Sequence, residues 1–198
     1  MAWRNLRRIE IKIWDAKVGT AVTWAYPADG DNDSAPLYEI PTYKITVSGK
    51  TEDGRNVSRD FEAMRFGVYK KRALDTPHVV GITARRRKAI RGWYGKYTVH
   101  SADSPEKGAW IVHGNYLIHD GPDKPKDSTE PYASAGCVEI CGGPFGFVTF
   151  NDFILSLSGS KKSTRQQQLN EIGWSGKMFV TYVNTPKPPL KVYTPTGP

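Results

Sequence analysis

Apolar and polar residues alternate with a period of two in one segment after another, and this constrains the fold more than any other feature. Ile9, Ile11 and Ile13 are separated by Glu10 and Lys12, and Tyr43, Ile45 and Val47 lie on one face of residues 43–47. That period belongs to strands with one side buried. Residues 18–26 read as a second strand. Asp53-Gly54, within 48–56, is a hairpin signal, and Gly114-Asn115 is a two-residue turn between strands at 109–113 and 116–119. The 19 glycines and 14 prolines are spread along the chain, enough for many turns.

The period changes once. Phe150, Phe153, Ile154 and Leu157 fall at helical spacing, with Thr149 or Asn151 as a cap and Gly159 as a stop. Residues 164–172 form a second, polar helix, and 178–183 a closing strand. Residues 60–69 fit a strand or a short helix, and 91–100 are aromatic and strand-prone. Residues 27–36 are a turn-rich acidic loop without the distal glutamate of a calcium loop. The run Arg85-Arg86-Arg87-Lys88 reads as a solvated loop or strand end. The expected architecture is mainly β, with two short helices after Cys137. One domain spans 1–184, with an elaborated N-terminal β part, and a proline-rich tail spans 185–198, extended along the surface or mobile.

The formal charge is +8, from 28 basic and 20 acidic residues. Such a surface favours polyanions, although charge alone does not name one. No apolar run approaches the ~20 residues of a membrane span, so no stable membrane insertion is expected. The first residues alternate where a signal peptide would have its apolar region, so the expected product is made in the cytoplasm. Cys137 and Cys141 are too few and too close for a disulfide scaffold, and a free reactive thiol with a buried neighbour is the expectation.

The chemistry concentrates in residues 110–140. His119 stands on a strand, a polar loop follows, and Ser134-Ala135-Gly136-Cys137 precedes the apolar Val138. An imidazole can take the proton of a thiol, and the thiolate then attacks acyl carbons. Gly136 admits an unusual backbone conformation and close approach of substrate. Ser134 donates within the same turn, and a backbone carbonyl near 119–121 would orient the other nitrogen of His119. Around this pair, Asp120, Gly121, Ala135 and Glu139 are expected substrate-side residues, and Tyr116 and Tyr132 suit either a substrate cleft or core and turn packing. Asp120 and Asp123 are also suited to Asx turns, and His113 reads as a structural histidine.

His119, fourteen intervening residues, then Ser134-x-Gly136-Cys137 and Val138, resembles the signature of YkuD-type L,D-transpeptidases. The resemblance is specific over about residues 110–157. It implies a YkuD-like mixed β-sandwich, with Cys137 as nucleophile, His119 as base, and the amides of Gly136 and Cys137 as oxyanion donors. It implies L,D-transpeptidase or L,D-carboxypeptidase chemistry on peptidoglycan stem peptides through a thioester, with no cofactor. Ala135 and Glu139 stand where the family usually has histidine and arginine, which suggests a divergent branch. Some proteins resembling this family are interbacterial effectors. That setting implies non-classical export, such as type VI secretion, to the periplasm of a target cell, and a cognate immunity protein.

Two other readings compete. His113, His119, Cys137 and Cys141 are four zinc-capable side chains, but no second tight pair accompanies Cys137 and Cys141. A YkuD-like module without activity would bind peptidoglycan or another polyanion, with the Arg85–88 run and the aromatic residues as its support; nucleic acid is the minority partner.

Overall fold

The computed structural model describes residues 5–29, 34–98, 105–129 and 132–195, and the main chain but not the side chain of His113. His100 and part of the acidic loop lie outside the described residues. The strands are β1 (Ile9–Pro27), β2 (Tyr38–Lys50), β3 (Asn56–Met64), β4 (Gly67–Lys70), β5 (His78–Val80), β6 (Arg86–Ala89) and β7 (Gly92–Tyr94). They continue with β8 (Ala109–His113), β9 (Tyr116–Asp120), β10 (Tyr132–Ala133) and β11 (Val138–Ile140). Helices α1 (Gly146–Ser158) and α2 (Arg165–Trp174) follow, then β12 (Met178–Tyr182) and β13 (Lys191–Val192). The architecture is a mainly-β mixed sheet of parallel and antiparallel strands with two helices.

The two strands expected at 9–14 and 18–26 are one. β1 runs on through an exposed stretch, Asp15 to Val18, where its register against β2 shifts twice. Such bulges bend a strand, and β1 changes neighbours across this one. Its first half lies parallel to β12, and its second half pairs with β10 and β4. From β1 the ladder continues through β2, β3, β11 and β9 to β8 and β7. The short β6–β7 connection ties the two ends together. Ile90 N–H donates to Met178 O at 2.9 Å and Arg91 N–H to Ile111 O at 2.7 Å. The sheet therefore curls around a core that includes Ile9, Ile11, Ile45, Trp110, Ile118 and Val138.

The hairpins fall where the turn residues placed them, with Gly54 at φ +83° and Gly114 at φ +58°. Residues 60–69 are extended. The arginine run is mostly strand β6, antiparallel to β12, with Arg87 bonded to Glu10 at 2.8 Å. The tail leaves a buried Thr185, and β13 pairs with the first residues of β2.

Helix α1 buries Phe147, Phe150, Ile154 and Leu157 along one stripe, each contributing about 1.5–3 kcal/mol by leaving water. Gly159 ends it in the left-handed region, φ +76°. The cap expectation needs correction. The helix begins at Gly146 without a side-chain cap, so Thr149 and Asn151 lie inside it. Asn151 is buried instead, accepting from Trp110 Nε1 at 2.8 Å and donating to Glu106 at 2.7 Å. Arg165, at the start of α2, grips the same Glu106 with Nε and Nη2. Thr164 caps α2 through Gln167 N–H at 3.3 Å.

Candidate active site

Strands β9 and β11 run parallel with Ile118 opposite Val138, His119 opposite Glu139 and Asp120 opposite Ile140. In a strand successive side chains point to opposite sides. Ile118, Val138 and Ile140 enter the core. The odd-numbered residues face the other way: Asn115, Leu117 and His119 from one segment, and Ala135, Cys137 and Glu139 from the other. Together with Tyr26, Tyr97, Thr98 and Ala133, they line a cleft of about 490 Å³. A larger groove of about 730 Å³, beside the β2–β3 turn, holds neither thiol nor imidazole; both lie in the smaller one.

His119 is 2% exposed. Its Nδ1 lies 2.6 Å from Asp120 O, the carbonyl expected in the 119–121 turn. A carbonyl only accepts, so Nδ1 carries the proton and Nε2 presents a lone pair. Nε2 is 3.9 Å from Glu139 Oε1. The Tyr97 ring leans over the imidazole at 5.3 Å.

Cys137 is half-buried and free. Burial pushes its thiol up to about 11; an N–H bond from Leu117 opposes this, and the charge of Glu139 adds to it. Its Sγ lies 3.8 Å from Asn115 O. At neutral pH Cys137 is therefore a protonated thiol, and a thiol in that state acts as a nucleophile only with a base beside it. Cys141 is buried, with its thiol also raised by burial. Burial lifts Glu139 to about 8; a hydrogen bond from Ser134 lowers it and Asp120 raises it. Tyr97, raised to about 12 by burial first and then by Cys137 and Glu139, marks the same dry corner.

Gly136 has φ +92° and rests on Gly81, where a Cβ would lie 3.0 Å from Gly81 Cα and N. Glycine is thus required for both conformation and space. The Gly136 amide donates to Ser134 Oγ at 3.1 Å, a bond within the turn that an oxyanion would have to replace. Ser134 accepts within the turn, and the Cys137 carbonyl is 3.5 Å from its Oγ.

The structure brings His119, Ala135, Cys137 and Glu139 together at the cleft. Four residues placed near the substrate by sequence do not line it. Tyr116 is half a strand period away and packs against the core. Asp120 is buried on the alternate side, contributing its carbonyl to His119. Gly121 packs on Glu139, where a Cβ would come within 2.9 Å of the Glu139 Cβ. Tyr132 is buried beside Thr23 of β1. Sequence reasoning missed Tyr26, Tyr97, Thr98, Asn115, Leu117 and Ala133 as cleft residues. Only the aromatic density of 93–97 hinted at Tyr97.

Among the described residues, no group of three or more His, Cys, Asp or Glu side chains comes together as a metal site, and no helix is long and apolar enough to cross a membrane. The His113 side chain, part of the zinc reading, lies outside the described residues. Comparison with protein-family models, curated proteins and solved structures returned no significant match.

Proposed function

We propose that this chain is a cysteine acyltransferase of L,D-transpeptidase type, with a YkuD-like fold, acting on peptidoglycan stem peptides. The observation that carries the reading is the fixed tautomer of His119: its Nδ1 is held by Asp120 O, in a cleft it shares with Cys137. As the Cys137 sulfur attacks the donor carbonyl, Nε2 takes the thiol proton. The amides of Gly136 and Cys137 are the candidate oxyanion donors. Collapse of the tetrahedral intermediate expels the leaving amine, which takes the proton back from His119, and leaves a thioester. Water then gives carboxypeptidase cleavage, and an amine gives exchange or cross-linking.

The proposed setting is an antibacterial effector delivered to the periplasm of a target cell, with an immunity protein that blocks the cleft. Its support is the resemblance of the 119–138 segment, not the geometry.

Purified protein incubated with defined tetrapeptide and pentapeptide muropeptides, read by mass spectrometry beside Cys137→Ala, tests the enzyme reading. Loss of a terminal D-amino acid or its exchange, abolished in the variant, is expected. Unchanged muropeptides with both proteins overturn it in favour of a binding module.

A further inference from the structure

Glu139 is a buried carboxyl that the acyl-transfer steps leave without a role. It is 1% exposed and is the ladder partner of His119. Its Oε1 is 3.9 Å from His119 Nε2, the nitrogen that must accept the Cys137 proton. A carboxylate there would hold that nitrogen protonated, in competition with the thiol, and its charge would oppose thiolate formation directly.

Among the described residues, His119 is the one group placed to balance a charge at this position. Glu139 is faced by His119 and Asp120 from β9, by Ser134 and Cys137 from its own segment, and by Tyr97 from the segment after β7. Cys141 lies beyond it, with Glu62 of β3 nearby. The chain has 28 lysines and arginines, yet among the described residues none lines the cleft. Oε2 has no hydrogen-bond partner among the described residues, an arrangement that costs an ionised carboxylate far more than a neutral acid.

We propose that Glu139 works as a neutral carboxylic acid, a positioning residue that keeps His119 Nε2 open to the Cys137 proton, and that its ionisation turns the nucleophile off. The proposal rests on the acyl-transfer reading of the same cleft. Because burial lifts the carboxyl to about 8, the acid persists through neutral pH and ionises in mildly alkaline solution. Below that point no described residue lining the cleft carries a negative charge; above it, the thiol loses reactivity relative to a cleft with no ionisable group at 139.

The test is the rate of Cys137 alkylation by iodoacetamide against pH, followed by peptide mass spectrometry so that Cys141 is scored apart. Wild type is compared with Glu139→Gln, which cannot ionise. The two should agree within about twofold near pH 6.5, and the variant should react about five- to tenfold faster near pH 9. Superimposable profiles overturn the proposal, as does a folded variant that reacts more slowly than wild type near pH 6.5. If Glu139→Gln does not fold, Glu139→Leu serves with the same expected alkaline gain. Muropeptide turnover is read separately. An alkylation difference without turnover sinks the acyl-transfer reading alone, and turnover with identical alkylation profiles sinks the proposal alone.

Discussion

Gly67→Ala should disarm Cys137 without touching it. Gly67 opens β4, and a Cβ placed there would lie 1.9 Å from Ser134 O and 2.5 Å from Ser134 C. Gly67 is outside the positive-φ glycines, so alanine suits its backbone and the whole effect is steric. Ordinary contact begins at 3.4 Å, which leaves the methyl short of space by about 1.5 Å. The obstacle is main chain and cannot rotate away, so the turn carrying Ser134, Gly136 and Cys137 must shift. Overpacking costs about 1–3 kcal/mol, and the lost flexibility of the unfolded glycine offsets about 0.4–1 kcal/mol. A net loss of about 1–2 kcal/mol lowers the Tm of a chain this size by roughly 3–6 °C. A displacement of about 1 Å at a reacting group costs on the order of a hundredfold in rate. Thermal melting and muropeptide turnover, with alkylation of Cys137, measure both. Gly54→Ala is the control: φ is +83° but nothing lies within 4 Å, so it should strain the hairpin and spare the thiol. Unchanged melting and turnover in Gly67→Ala would refute the packing argument.

Arg65 is fully buried and donates to Trp14 O, Ile82 O, Val183 O and Thr185 Oγ1. Arg65→Met strands these acceptors, so a loss of about 3–5 kcal/mol and a fall of roughly 1–2 M in the urea midpoint are expected; a midpoint within error of wild type would contradict this. Glu139 carries the opposite sign from a surface carboxylate. Its folded-state value is raised to about 8 from the ordinary 4.5, so the native state holds the proton more tightly. Stability from this group is full below the unfolded value and is lost as pH rises toward about 8. Glu139→Gln should therefore match wild type in Tm near pH 4 and exceed it near pH 8, and parallel Tm curves across that range would show that the carboxyl is not held protonated.

The strand pattern was legible wherever one face was buried and the other wet, as in residues 43–47. It misled at 15–17, where three exposed residues read as a break between strands; a bulge within a continuous strand leaves the same signature. The place of β12 beside β1 is set by contacts between the two ends of the chain, which no local period reveals. The helix after Cys137 announced its buried stripe and its Gly159 stop, but its start was hidden, because it begins at Gly146 without a side-chain cap and Asn151, which looked like one, serves Trp110 and Glu106. At the site, the thiol, the imidazole and the orienting carbonyl were readable because they sit on adjacent chain segments. Tyr97 was not, because it reaches His119 from a separate strand connection. Glu139 was noticed as a substitution in a pattern; its burial follows only from the register of β9 and β11.

That register is where the site is made. A slip of one residue between β9 and β11 would turn Cys137 and Glu139 toward the core and Val138 toward the cleft. Three side chains resist it by burial: Ile118, Val138 and Ile140 all lie in the core cluster. Two glycines resist it by closeness. Gly121 N–H donates to Ile140 O at 2.9 Å, with no room for a Cβ beside Glu139, and Gly136 is seated on Gly81 at the other end of the short strand. The three-residue β11 is therefore pinned at both ends and along one face. A thiol with a value near 11 depends on that precision, since a thiol that is not ionised beforehand reacts only if its base is already in line when the carbonyl arrives.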